Sequence, residues 1–202
     1  MMTDTIAGKA TTGSRALRLK AATHAAHEQL DNSIMSKEPF SDQERYGQFL
    51  QVQYLFHRDI AALYDDPTLD ELLPDLNGRR RVELIRQDLA DLQLPLPAED
   101  GAPVFTSGVR PDLPTALGWL YVAEGSNLGA AILLKEAAKL GYSADSGARH
   151  LAGAPEGRGL HWRTFTAALD AVQLSDDEES HVVASAEIAF RRVQRLVETV
   201  MV

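Results

Sequence analysis

The sequence contains no cysteine. That absence excludes a disulfide framework, a thiolate nucleophile, a Cys-ligated zinc site and an iron–sulfur cluster, so any metal must rest on histidine, carboxylate or a prosthetic group. There is also no uninterrupted apolar run of the roughly 18 residues that a membrane span requires, and no signal-peptide order of charge, apolar stretch and cleavage site at the N-terminus. The chain reads as cytoplasmic, with no membrane partner. Positive charge is in deficit: 20 Lys and Arg stand against 29 Asp and Glu, a net charge of −9. Neutralising phosphates takes a dense basic surface, so nucleic acid is not an expected partner. No Walker-type loop and no strand pairing with a glycine-rich turn is present, which leaves nucleotide binding without support.

What is present is helical. The 202 residues suit one domain, and 45% hydrophobic with 24% charged residues is enough to close a core around a ligand. Residues 1–13 are small, polar and aperiodic, and are expected to form a flexible arm before a domain spanning 14–202. From Ser14, Leu17, Leu19, Ala22 and Ala26 alternate with Arg15, Arg18 and Lys20 as one short amphipathic helix carrying His24 and His27. Ser41 and Glu44 have capping-box spacing ahead of a long apolar series from Tyr46 to Leu63. Thr68 and Glu71 repeat that spacing for a brief helix ending at Pro74, and Val82, Ile85, Leu89 and Leu92 mark another. Five prolines between Leu94 and Pro114 make a surface connection. From Thr115 the chain reads as a long helix interrupted at Gly125 and Gly129. A helix through Trp162 and Phe165 follows, and Ser175 and Glu178 box the start of a last long one. The expected fold class is all-α, a single-domain bundle of seven to eight helices whose pockets form between facing helices.

Glycine inside a helix costs about 1 kcal/mol relative to alanine, so Gly125-Ser-Asn-Leu-Gly129 needs a reason. One is tight helix packing through a small-xxx-small face; the other is a flat ligand lying on bare backbone. His27, beside apolar positions, is either a structural histidine or a ligand to a metal or haem iron. His24 and His27 share a face, yet no nearby carboxylate or third histidine completes a metal site. His57, His150, His161 and His181 lie on separate segments without a triad-like arrangement and read as structural or solvent-facing. The acid pairs Asp65-Asp66, Asp176-Asp177 and Glu178-Glu179 fall at helix ends or on polar faces, where they complement helix dipoles.

Three segments resemble bacterial haem oxygenases: LKAATHAAHEQLD around His27, KEPFSDQERYGQFLQVQYLFHRDI, and ALGWLYVAEGSNLGAAILLKEA. The likeness runs from about Ser14 to the end, and phrases such as EPF, QYLFHRD, EGSNLGAA and GARHLA are specific to it. The resemblance implies that haem, both cofactor and substrate, lies between a proximal helix that ligates its iron through His27 and a glycine-kinked distal helix. It implies cleavage of haem to biliverdin, carbon monoxide and ferrous iron with O2 as co-substrate, and electrons from a ferredoxin or flavin reductase. On the distal side it places Gly125, Ser126 and Gly129, whose bare backbone leaves room for little beyond dioxygen. Mammalian members have an aspartate where Ser126-Asn127 stands here. The resemblance also assigns Lys20 and Tyr121 to the haem propionates and Phe190 to the pocket wall. Some relatives have Asn and Phe at the first two places and a lysine where Glu136 stands; Lys20, Tyr121 and Glu136 together favour the IX-alpha isomer. The competing expectations are a haem carrier that leaves the ring intact and an unrelated helical module. The expected state is a monomer.

Overall fold

The computed structural model describes residues 13–98 and 101–202, so all of the expected N-terminal arm except Gly13 lies outside the described residues. Nine α-helices occur among them: α1 (Arg15–Ala22), α2 (His24–Ser36), α3 (Gln43–Asp59), α4 (Ala61–Tyr64), α5 (Pro67–Leu72), α6 (Val82–Asp91), α7 (Leu113–Lys139), α8 (Arg158–Ala171) and α9 (Asp176–Val200). Short 3-10 turns cover Asn77–Arg79 and Arg149–Leu151, and no strand is present among the described residues. The count exceeds the expected seven to eight because two expected helices are each divided, at Thr23 and at Ile60. Thr23, with φ −96° and ψ 5°, is where the N-terminal helix turns, so His24 and His27 belong to α2 rather than to α1.

The caps show how local chemistry sets the boundaries. Ser175 and Glu178 form the reciprocal capping box expected for α9. At α3, however, the cap is Asp42, not Ser41: its carboxylate accepts from the Arg45 amide. At α5 it is Asp66, accepting from the Leu69 amide with Pro67 in the first turn, so the Thr68–Glu71 spacing was not the cap. Asp112 does the same for α7, again with a proline in the first turn. In all three cases an aspartate next to or near the expected start offers the acceptor for the orphan amides.

The core is one cluster centred on α3, α7 and α9, with Tyr46, Phe49, Leu50, Leu117, Leu120 and Val197 among its buried side chains. α2 and α7 both pack against α9, and α8 packs against α7 and α1. α7 runs as one hydrogen-bonded helix through both Gly125 and Gly129, so the expected interruption is a gap in side chains and not a break in the backbone ladder. By length and composition α7 could cross a membrane, but 56% of its most apolar window is buried inside the fold. It is the bundle's central helix.

Candidate functional site

α2 presents His27. Its imidazole is 59% exposed, and Nδ1 lies 3.2 Å from Oδ2 of Asp31, one turn further on. A carboxylate at that distance favours a proton on Nδ1 and leaves the Nε2 lone pair available to a ligand-accepting metal. The other side of the ring meets Phe190 of α9 edge-on, with centroids 5.9 Å apart at 73°. Phe190 is itself buried, so the imidazole stands on a fixed apolar base.

α7 presents a bare stripe. Gly125, Leu128, Gly129 and Ile132 have the i, i+3, i+4, i+7 spacing of one helical face. A Cβ on Gly129 would meet nothing within 4 Å, and one on Gly125 would make only ordinary contact with Trp162, at 3.6 Å. Leu128 and Ile132 are exposed, at 45% and 67%. Helix-on-helix packing therefore does not account for the two glycines. The glycine that meets another helix at close range is Gly118, two turns earlier. Ser126 is exposed at the edge of the stripe, and its hydroxyl donates to the Ala123 carbonyl at 2.7 Å.

Lys20 lies three residues before the α1–α2 turn at Thr23, and Tyr121 reaches that turn from α7. Lys20 is exposed in the last turn of α1. Tyr121 is buried against Trp162, with rings 5.7 Å apart, and its hydroxyl is hydrogen-bonded with the Thr23 side chain at the α1–α2 turn. Burial raises the Tyr121 pKa above its ordinary value, keeping the phenol protonated, with the Thr23 contact acting the other way. Glu136 is taken up by Lys139, whose Nζ donates to both carboxylate oxygens at 2.6 and 2.8 Å.

Behind the stripe lies a polar layer that the sequence pattern did not reveal. Glu124 is buried, accepts from the Tyr64 hydroxyl at 3.0 Å and from Arg79 at 3.1 Å, and has His161 Nε2 at 3.7 Å. Arg158 donates to the Asn127 carbonyl at 3.0 Å. His57, His150 and His161 are all buried, leaving His181 as the exposed one of the four histidines read as structural or solvent-facing. Burial, with help from Arg81 and His150, lowers the His57 pKa to about 3, so this imidazole is neutral. His57 Nδ1, His150 Nε2, Arg81 Nε and Asn127 Nδ2 are buried without a hydrogen-bond partner among the described residues. The signals for this layer in the sequence were Glu124, a charge inside the otherwise apolar α7 stretch, and the arginine run 79–81 ahead of α6.

The model of the Heme oxygenase family matches residues 14–199. The chain belongs to the heme oxygenase family. "Heme oxygenase PigA" of Pseudomonas aeruginosa is 41% identical over 199 residues, covering 96% of this chain and 98% of that protein. Among solved structures, the NO- and CO-bound heme oxygenase from Neisseria meningitidis superposes with a TM-score of 0.86 at 40% identity, over 93% of this chain and 92% of that one. Heme oxygenase from Leptospira interrogans, at 16% identity, shares the fold with a TM-score of 0.72 over 93% of this chain and all of that one. These relatives fit the all-α architecture described above.

The residues present fit a haem. An exposed imidazole with a carboxylate behind it can ligate iron, and an unpartnered apolar stripe with two bare glycines suits a flat macrocycle. Among the described residues no group of three His, Asp or Glu could hold a metal without such a ring.

Proposed function

We propose that this chain, as one domain spanning residues 14–202, is a haem oxygenase that cleaves haem to biliverdin, carbon monoxide and ferrous iron. The observation that carries the reading is the exposed His27 backed by Asp31, and the side-chain-free positions Gly125 and Gly129 on α7 support it. Bound haem supplies both the iron that reacts with O2 and the ring that is cut. The protein's part is to seat and protect it. His27 would ligate the iron, its imidazole resting edge-on against Phe190. Gly125 and Gly129 admit the ring face closely, and Ser126 closes its edge with a hydroxyl already engaged by the Ala123 carbonyl. A distal face without carboxylate or imidazole side chains in its stripe offers no group that would drive the bond cleavage of peroxidases.

Lys20 and Tyr121 are the partners for the haem propionates, a cation in the last turn of α1 and a phenol that reaches the α1–α2 turn from α7. With Glu136 occupied by Lys139, no cation stands free at that position to draw the propionates elsewhere, which favours the IX-alpha isomer. The protein acts as a cytoplasmic monomer. It takes electrons from a ferredoxin or flavin reductase and has no nucleic-acid or membrane partner.

The test is haemin titration followed by reductant and catalase in air. The expected result is a Soret complex that decays as a biliverdin band grows, abolished or greatly slowed in His27→Ala. A Soret band that persists under reductant would make the protein a haem carrier.

A further inference from the structure

Glu124 is a buried carboxylate in the middle of the fold's central helix, one residue before the first bare glycine. Removing such a group from water is expensive unless it is fully paired, and here the pairing is complete and comes from three other elements. Tyr64 of α4 donates to one oxygen at 3.0 Å, and Arg79 of the 3-10 turn donates to the other at 3.1 Å. His161 of α8 stands behind that second oxygen at 3.7 Å, its Nδ1 held 2.7 Å from Glu156. Arg79 is locked in turn: it donates to the His161 carbonyl and lies over the Phe165 ring, 5.6 Å from its centroid. Burial and the neighbouring Glu124 push the Tyr64 hydroxyl well above its usual range, so it remains a donor.

Helical arithmetic places this cluster. Glu124 flanks the Gly125–Leu128–Gly129–Ile132 stripe of α7, about a quarter-turn from its centre, and Asn127, three residues on, lies nearly opposite it. Both are buried, whereas Leu128, Gly129 and Ile132 of the stripe are exposed. Both are also tied to the first turns of α8: Asn127 through Arg158, Glu124 through Arg79 and His161, with Trp162 of the same segment against Gly125. Two glycines within five residues strip this turn of the side-chain contacts that ordinarily hold a helix surface in place. Its position is set from the flank and the far side, by Glu124 and Asn127.

We propose that Glu124 is a positioning residue for the haem-cleaving reaction, whose carboxylate, gripped by Arg79 and Tyr64, fixes the height of the glycine stripe over the ligand face. The proposal rests on the haem oxygenase reading. Glu124 touches no part of the site itself. Its carboxylate holds the flank of the helix whose glycine face receives the ring, and a displacement of about 1 Å at such a place lowers rates by up to about a hundredfold.

The test uses the full chain with Glu124→Gln and Tyr64→Phe. Glutamine keeps the volume and one acceptor but drops the charge, and phenylalanine removes one donor without stranding a charge. For each protein, haemin affinity, the Soret spectrum, thermal midpoint, the C–O stretching frequency of the ferrous CO complex and biliverdin formation are measured. The expected result is wild-type haemin affinity and Soret band in both variants. The C–O band is shifted and broadened, more in Glu124→Gln than in Tyr64→Phe, and turnover falls in the same order. A C–O band and turnover identical to wild type in both variants would overturn the proposal. So would turnover losses that follow the thermal midpoint while the C–O band stays fixed. If the unmutated chain forms no Soret complex, the haem reading itself fails, a result distinct from either of these.

Discussion

A Cβ added to Gly118 would lie 2.6 Å from the carbonyl oxygen of Val182, so α7 and α9 cross there backbone against backbone. The same Cβ would be 2.7 Å from the Ala186 amide nitrogen, and neither group can yield as a flexible side chain can. Gly129, eleven residues along the same helix, has open space at the equivalent position. One helix thus carries glycine for opposite reasons. Gly118→Ala is expected to destabilise the protein by about 1–3 kcal/mol or more through overpacking. Gly129→Ala, freed of the entropic cost of glycine, is expected to stabilise the ligand-free protein by about 1 kcal/mol while weakening haemin binding. Urea unfolding with haemin titration checks both. Equal destabilisation by the two substitutions would refute the distinction.

His27 and Asp31 lead to a second expectation. Both side chains are more than half exposed, so neither contributes much to the fold, and His27→Ala should leave the urea midpoint nearly unchanged. The Soret complex should be lost, and exogenous imidazole should restore part of it. Asp31→Ala should keep the complex but weaken haemin affinity or turnover by roughly ten- to a hundredfold, the usual effect of removing the group behind a metal-ligating histidine. An Asp31→Ala protein with wild-type affinity and turnover would show that the 3.2 Å contact is incidental.

Acid stability follows from the buried imidazoles. His57 has its pKa lowered from 6.5 to about 3, first by burial and then by Arg81 and His150. His150 is lowered as well, again chiefly by burial, with Asp88 opposing. A histidine with a depressed folded-state pKa binds fewer protons in the native than in the unfolded state. Its neutral form is therefore free of penalty above pH 6.5, and stability is lost progressively as pH falls from there toward 3. The urea midpoint should drop between pH 7.5 and 5, and His57→Gln should flatten that slope even if it lowers stability at neutral pH. An unchanged slope in the variant would remove His57 from the account.

How much of this was legible in the sequence depends on what each residue needs. Periodicity in the long apolar series identified the α3, α7, α8 and α9 helices, because a buried helical face has to repeat at that spacing. Gly125 and Gly129 stood out because a cost without an evident return invites explanation. The Thr23 and Ile60 breaks were hidden, since neither residue is a helix breaker; the turns come from how neighbouring helices pack. Ser175 was the cap expected, but the caps of α3 and α5 were off by one and two positions because serine, threonine and aspartate compete for the same role within one short stretch. The Glu124 layer was least visible. Its members come from residues 64, 79, 124 and 161, and only the fold brings a tyrosine, an arginine and a histidine to that carboxylate.

The N-terminal helix depends on one buried cation. Arg15 is 4% exposed and donates to the carbonyls of Leu169 and Val172 near the end of α8, while its remaining donors engage both oxygens of Glu179. Arg18 joins the same carboxylate from the surface side. These bonds satisfy carbonyls that a helix terminus would leave orphaned, and they pin α1 against α8 and α9. Because α1 leads through Thr23 into α2, the anchor also sets where His27 begins. Arg15→Ala leaves the buried carbonyls of Leu169 and Val172 unsatisfied while Arg18 still pairs Glu179, and should cost about 1–3 kcal/mol. Arg15→Lys keeps the charge but not the fork that reaches carbonyls and carboxylate together, and should recover only part of that loss. Amide hydrogen exchange should report the damage in α1 and α2 first, with α3 and α9 protected until global unfolding. Uniform loss of protection across the fold would mean that Arg15 serves the core as a whole and not the seat of His27.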